Sequence, residues 1–409
     1  MRAFLCLILL VVSFSVPVLA AAQEVPAASE IATSAEFSRV MRAIRAAEPA
    51  EAEQMAAALY GELAAAGRIP LVLQGAVEFL YYGDAESIEW RGDFNQWETL
   101  SPETEGRRVG DTNLWRMTYN FPADARVEYK IVRDGDEWLL DPANPNQVAN
   151  GNINSELRMP DFEVSYETDY RQGIAHGAFE ETQVFDSPTL GYPVEYEVYL
   201  PHGYETMDAL PVLYVLDGND FSDPNRAALP HALDNLIADG RIEPLIAVFI
   251  GARDPDDPEF NRREIELKEN PEYAQFVATE LVAQIDSHYR TDPARRHLMG
   301  VSFGGLGTAY IGTQYPDVFQ NLTLFSPSFW AADATFETFD SMTTLPDWNV
   351  FVYWGQPGWD GDDLSDWIVG GLQAVGIEAM GVHTAEGHSW ASWRGVTDEM
   401  LEYFYGTDT

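Results

Sequence analysis

The stretch His297-Leu298-Met299-Gly300-Val301-Ser302-Phe303-Gly304-Gly305-Leu306-Gly307 constrains the fold of this chain more than any other. A short apolar run leads into Gly-x-Ser-x-Gly-Gly and then into a helix-compatible run through Ala309 to Tyr315. Strand, sharp turn and helix in that order hold a serine on an exposed, strained elbow. Small residues are needed on both sides of the serine because the turn is crowded, and Gly300 and Gly304 supply them. The same letters also fit an ordinary Gly-rich turn, so the surrounding chain decides their meaning.

That surrounding chain alternates apolar runs with helical patterns. Residues 194–200, 210–216, 245–251, 322–325, 350–354 and 379–383 read as strands, and 227–238, 271–289, 364–375 and 396–405 as helices. Apolar strands and helices of these lengths in alternation predict an α/β class with a doubly wound and mainly parallel sheet, and the serine elbow on it makes the expected type the α/β-hydrolase. Ser302 is then expected at the carboxyl end of a central strand, where such sheets place their sites.

Upstream the pattern differs. Two helices are expected in residues 34–47, capped by Ser34, and 50–65, ended by Gly67. From Leu71 the period becomes two, with strand-like runs at 77–82, 87–90, 114–119 and 127–132 separated by Gly, Asp and Asn turn signals. This predicts a small antiparallel β-sandwich over residues 70–160. The expected organisation is a leader at 1–22, a linker and helical hairpin at 23–69, the sandwich at 70–160 and the hydrolase domain at 175–409.

The leader expectation rests on Arg2, the apolar run from Phe4 to Val16 and small residues near Ala20 and Ala22, the pattern of a secretory signal peptide. It implies a periplasmic or secreted protein. The only cysteine, Cys6, falls inside it, so the mature chain is expected to have no disulfide. With 24 Lys plus Arg against 66 Asp plus Glu, the formal charge is −42. Such a surface repels nucleic acid and anionic lipid, and no run is long enough to insert in a membrane. The histidines lack ligand spacing, so neither a metal nor an organic cofactor is implied.

A serine hydroxyl becomes a nucleophile when a base takes its proton and an acid orients that base. In the hydrolase order the acid and then the histidine follow the serine. Five of the seven histidines precede Ser302. His383 lies within an expected strand, whereas His388 lies in the loop after it and is the expected base. The acid belongs on the loop after strand 350–354, where Asp360, Asp362 and Asp363 are all available. Asp360 is placed first, because Asp362 and Asp363 precede Leu364, where helix capping accounts for them. The expected oxyanion donors are the backbone amides of Phe303 and of Asn219, the latter in the turn Asp217-Gly218-Asn219. Trp330 and Trp390 lie near these loops and are candidates for an aromatic acyl pocket. Arg262 and Arg263, in a charged and Pro-containing segment, either meet an anionic substrate or pair with Glu264 and Glu266.

Two resemblances add to this reading. Gly92-Asp93-Phe94-Asn95-Gln96-Trp97, Val127 to Gly135, Trp138, Asp141-Pro142 and Gly151-Asn152-Ile153-Asn154 resemble the glycogen-binding modules found before isoamylase-type enzymes. The resemblance implies that Trp97, Lys130, Trp138 and Asn154 contact a glycan. Val215-Leu216-Asp217-Gly218, Asn261 to Leu267 with Asn270-Pro271, the Ser302 elbow, Ser326-Pro327-Ser328-Phe329-Trp330, Gly387-His388-Ser389-Trp390 and Trp393-Arg394 resemble the esterase family that includes enterochelin (ferric-siderophore) esterases. Feruloyl and acetyl-xylan esterases share that architecture. Together these imply an exported serine carboxylic-ester hydrolase acting through an acyl-enzyme on a small-molecule or polysaccharide ester. A polysaccharide esterase docked by its sandwich, and a non-catalytic glycan-binding protein on a hydrolase scaffold, are the alternatives.

Overall fold

A computed structural model of the chain describes residues 25–407, apart from 75, 99–103, 333, 336, 339–345 and 362–363. The expected leader with Cys6, and the alternative acids Asp362 and Asp363, lie outside the described residues.

Helices α1 (Ser34–Ala46) and α2 (Pro49–Ala65) form the expected hairpin. The cap of α1 is Thr33 rather than Ser34: its side chain accepts from the Glu36 amide while Glu36 reaches back, a reciprocal pair that places Glu36 at the third helical position. The buried stripe Phe37, Val40, Met41 and Ile44 packs with Leu59 and Leu63 of α2 onto Leu80 and Leu114 of the neighbouring sheet.

The sandwich region comprises β1 (Leu71–Leu73), β2 (Ala76–Tyr82), β3 (Ile88–Gly92), β4 (Arg107–Arg108), β5 (Leu114–Tyr119), β6 (Arg126–Arg133), β7 (Glu137–Leu139), β8 (Gln147–Asn150) and β9 (Asn152–Arg158). They form two antiparallel sheets, β1-β2-β5-β4 and β3-β6-β9-β8, with β7 added to β6. Strand β2 is buried on both faces, because Val77, Phe79 and Tyr81 face the second sheet while Leu80 faces the helical hairpin.

The remaining strands are β10 (Ala178–Phe179), β11 (Gln183–Asp186), β12 (Pro193–Leu200), β13 (Leu210–Val215), β14 (Ile246–Ile250), β15 (Thr291–Val301), β16 (Asn321–Phe325), β17 (Asn349–Trp354) and β18 (Glu378–His383). They make one nine-stranded sheet, ordered β10-β12-β14-β13-β15-β16-β17-β18 with β11 beside β12. From β14 to β18 every neighbouring pair is parallel, and β12 joins β14 antiparallel. The helices are α3 (Gly218–Ser222), α4 (Leu229–Ala238), α5 (Arg263–Leu267), α6 (Pro271–Gln275), a π-helical turn (Phe276–Leu281) running into α7 (Val282–His288), α8 (Phe303–Gln314), α9 (Leu364–Ala374), α10 (Trp390–Gly395) and α11 (Thr397–Tyr405). They cover both faces, and the core lies in two layers, one on each side of the sheet. This is the α/β-hydrolase arrangement expected from the alternating pattern.

Register positions the site. Val301 of β15 is opposite Phe325 of β16, Phe325 opposite Tyr353, and Trp354 opposite His383. Four neighbouring parallel strands therefore end together, and the loops that follow them emerge side by side.

Candidate active site

Ser302 sits where β15 meets α8, with φ 58° and ψ −116°. A non-glycine residue holds such a conformation only when its surroundings over-determine it. Its amide donates to Phe325 O (2.8 Å), and its own carbonyl accepts from Leu306 N (3.0 Å), the first bond of α8. The glycines beside it are sterically required. A Cβ on Gly300 would lie 2.3 Å from Gly304 O, and one on Gly304 would lie 2.8 Å from Asp217 Oδ2. The Ser302 hydroxyl is half-buried and lies 3.2 Å from Ser328 Oγ.

The turn after β13 approaches from the other side. Asp217 adopts φ 56° and is almost fully buried. Its Oδ1 accepts from Arg263 Nε (2.8 Å), and Arg263 Nη2 donates to Val301 O (2.9 Å), so one guanidinium ties this turn to the elbow. Phe303 and Asn219 occupy the first turns of α8 and α3, where backbone N–H groups have no carbonyl one helical turn earlier. Both expected oxyanion donors therefore lie on helix starts that carry partial positive charge.

The third element joins two loops. His388 Nδ1 lies 2.7 Å from Asp360 Oδ1, and Asp360 Oδ2 accepts from Gly355 N (2.6 Å) and Ser326 Oγ (2.7 Å). The Asp360 side chain is 6% exposed and that of His388 36%, so the acid is enclosed while the imidazole reaches the surface. Ser326 in turn accepts from the buried Trp393 Nε1 (2.9 Å), and the His388 ring meets the Trp393 ring edge to face at 4.9 Å. Of the three candidate acids, Asp360 is the described one, and the structure brings it to His388. His383 stays within β18, its ring 5.9 Å from that of Trp354.

Other expected residues are placed differently. Arg262 is buried, paired with Asp254, bonded to Pro193 O (3.0 Å) and stacked over Tyr192. Its guanidinium is committed to the protein itself, as is that of Arg263. The pairing expected with Glu264 and Glu266 does not form: Glu264 pairs with Lys268 at 2.9 Å, and Glu266 accepts from Tyr192. Trp330 is 65% exposed beside Phe303, whereas Trp390 packs edge-on against Phe221 and Trp393.

In the sandwich, Trp138 is 44% exposed with the Arg91 guanidinium over its ring. Asn154 is buried and donates to Glu128 (2.8 Å), Trp97 is half-buried and donates to Asp93 (3.1 Å), and Lys130 is half-buried. The four do not present one open face, since Asn154 and Trp97 spend their donors internally. Ser326 and Ser328 are polar residues at the site that sequence reasoning gave no role. Their position directly after the strand next to β15 was the available signal. Among the described residues no group of His, Cys, Asp and Glu is arranged to hold a metal.

Comparison with known proteins follows the same division. Residues 187–363 match the model of a family described as "Putative esterase". The chain is 25% identical over 309 residues to an endo-1,4-beta-xylanase/feruloyl esterase of Xylanibacter ruminicola, covering 73% of this chain and 41% of that protein. It is 33% identical over 141 residues to an iron(III) enterobactin esterase of Dickeya dadantii, covering 33% of this chain and 30% of that one. The chain thus spans less than half the length of these curated relatives. Among solved structures, ferric enterobactin esterase from Salmonella typhimurium superposes with a TM-score of 0.66 at 18% identity, over 80% of this chain and 93% of that one. At that identity the likeness establishes the fold.

Proposed function

We propose that this chain, whose residues 187–363 match the family described as "Putative esterase", is an exported serine hydrolase of carboxylic esters, of the enterochelin/feruloyl esterase kind. The observation that carries the reading is that three separate elements emerge at the carboxyl ends of neighbouring parallel strands. These are a serine on a strained elbow, a His388–Asp360 pair at 2.7 Å, and the two helix starts that carry Phe303 and Asn219.

In this reading Asp360 accepts from His388 Nδ1–H, leaving the Nε2 lone pair to take the Ser302 proton. Ser302 Oγ attacks the ester carbonyl, and the amides of Phe303 and Asn219 hold the developing oxyanion. His388 returns its proton to the leaving alkoxide. A water activated by the same imidazole then releases the acid and restores Ser302. Support for export is the leader-like composition of residues 1–22. N-terminal sequencing of the native protein tests it, and a retained Met1 speaks against it.

The fate of the two arginines favours a neutral substrate, a phenolic or acetyl ester of a polysaccharide, over an anionic ferric catecholate. With Arg262 paired to Asp254 and Arg263 to Asp217, neither guanidinium is left to focus an anion against a net charge of −42. The exposed rings of Trp330 and Trp138 supply apolar faces for aromatic or sugar groups. The test is kcat/KM on activated aryl esters, methyl ferulate, acetylated xylan and a ferric tricatecholate ester. The reading expects the first three to exceed the last, and the reverse order overturns the substrate assignment.

A further inference from the structure

The loop that carries His388 is held from the sandwich side by a buried ionic cluster. Arg126, the first residue of β6, donates its backbone N–H to Ala385 O (3.1 Å). Its side chain, 3% exposed, reaches three carboxylates: Glu386 through Nη1 (3.3 Å), Glu128 through Nη2 (2.8 Å) and Glu156 through Nε (2.6 Å). The outer oxygens of the last two are taken by Asn154 and Arg158, each at 2.8 Å. One residue further along, Asp93 presses on the loop backbone. A Cβ at Gly387 would lie 2.3 Å from Asp93 Cγ, so the carboxyl packs directly on the residue preceding the histidine. Asp93 is fixed there by Glu128 N (2.7 Å) and Trp97 Nε1 (3.1 Å).

The hydrolase half grips the same segment from the other side. Glu386 O accepts from Gln356 N (2.8 Å) on the loop that bears Asp360. That loop also touches the sandwich, through Gln96 Nε2 to Gly358 O (3.2 Å) and through the Phe121 and Trp359 rings at 5.7 Å. Residues 385–387 are therefore clamped between Arg126 and Asp93 on one face and Gln356 on the other.

A buried ion pair is seldom the most stable solution, because desolvation of the charges offsets their attraction, and well-packed apolar residues would serve stability as well or better. What such a network does supply is a single geometry, since a displaced partner leaves a buried charge unmatched. We propose that Arg126 is a positioning residue for His388, acting through Glu386, and that the sandwich thereby completes the site of the hydrolase half. The proposal rests on the esterase reading for its catalytic consequence but not for its structural content. In this arrangement sandwich and hydrolase act as one catalytic unit, and Trp97 and Asn154 serve the clamp from behind rather than an open glycan face.

The test uses the full chain and the variants Glu386→Ala and Glu386→Gln. Removing Glu386 leaves Arg126 matched by two carboxylates, so the fold is spared while the side-chain link to the loop is cut and the bond from Arg126 N–H to Ala385 O stays. The amide oxygen of Gln still accepts from Arg126. The expected result for Glu386→Ala is a fall in kcat of about 10–100-fold on an aryl ester, with KM little changed, as for a catalytic group displaced by a fraction of an ångström. Amide hydrogen exchange in 385–390 is expected to speed up by about tenfold. Glu386→Gln is expected to recover most of both. Arg126→Lys, which keeps one charge but loses the fork, is the second variant should the first fail to fold.

Wild-type kcat in Glu386→Ala, or a loss that Glu386→Gln shares in full, overturns the proposal. If the wild-type chain hydrolyses no ester, the esterase reading fails by itself, and exchange still decides the clamp. Faster exchange in Glu386→Ala but not in Glu386→Gln supports it, and unchanged exchange in both overturns it.

Discussion

His388 Nδ1 lies 2.7 Å from Oδ1 of Asp360, 28 positions earlier in the chain, and the remaining carboxylate oxygen is occupied by Gly355 N–H and Ser326 Oγ–H. A carboxylate that already accepts from two donors takes the third bond from the imidazole as an acceptor as well, which fixes the proton on Nδ1 and frees Nε2. Asp360→Asn is therefore expected to lower kcat by about 10⁴-fold, by presenting the wrong tautomer. Asp362→Asn and Asp363→Asn are expected to stay within about tenfold of wild type, since the acid's place is filled. Steady-state rates of the three variants check this.

Ser326 joins the acid to Trp393, donating to Asp360 (2.7 Å) and accepting from the indole (2.9 Å). Ser326→Ala removes one of the donors to the carboxylate and leaves a buried indole N–H unmatched. A hydrogen bond to a charged group contributes about 1.5–3 kcal/mol, so kcat is expected to fall about 10–100-fold. The kcat at saturating substrate, measured beside a thermal melt, separates this from unfolding.

Gly300 has backbone on the side where a Cβ would point, with Gly304 O at 2.3 Å. Neither the strand end nor the helix start can retreat without moving Ser302. Gly300→Ala is expected to destabilise the chain by about 3 kcal/mol, at the upper end of the range for overpacking. A urea midpoint reports it. Gly135→Ala, at a turn with open space around it, leaves only the backbone penalty of a φ of 87°.

Buried Asp93 makes the stability of the chain depend on pH. Burial, and then the neighbouring Glu128 carboxylate, push its carboxyl up to about 7 from an ordinary 3.8. The folded state thus holds a proton that the unfolded chain releases. Its contribution to stability is present below about pH 4 and is lost as pH rises to about 7. Asp93→Asn, which mimics the protonated form, is expected to flatten the fall in stability across that window. The full change is about 1.4 kcal/mol per pH unit for one proton. Glu266, also pushed up to about 7 by burial, acts in the same sense. Buried His297, held down to about 3, acts in the opposite one, gaining stability as pH rises from about 3 towards 6.5. Denaturant midpoints from pH 4 to 8 for wild type and Asp93→Asn test it.

Much of this was legible in the residues. The elbow was readable because its glycines are local steric requirements, and the strands because burial on both faces produces continuous apolar runs such as Val212 to Leu216. The pairing of His388 rather than His383 with Asp360 was readable by chain order, since His388 stands on a loop and His383 in a strand. The contacts between distant segments were not readable. Nothing local to Ser326 marks it as the donor to Asp360, because that bond depends on β16 and β17 ending together. The commitment of Arg263 to Asp217 depends on a turn 46 positions away, and sequence neighbours wrongly pointed to Glu264 and Glu266. Asn154 illustrates the same limit in the sandwich. A residue type suited to sugar hydroxyls is turned inward onto Glu128, which itself serves Arg126.

The central claim is that Ser302 is an activated nucleophile. Its most direct test is labelling with a fluorophosphonate, followed by peptide mass analysis and residual aryl-ester hydrolysis. The account predicts an adduct on the peptide carrying Ser302, loss of activity in step with labelling, and a Ser302→Ala variant that neither labels nor turns over, slower by about 10⁴–10⁶-fold. Full activity in Ser302→Ala, or an adduct on a different serine that accounts for the loss, would contradict it.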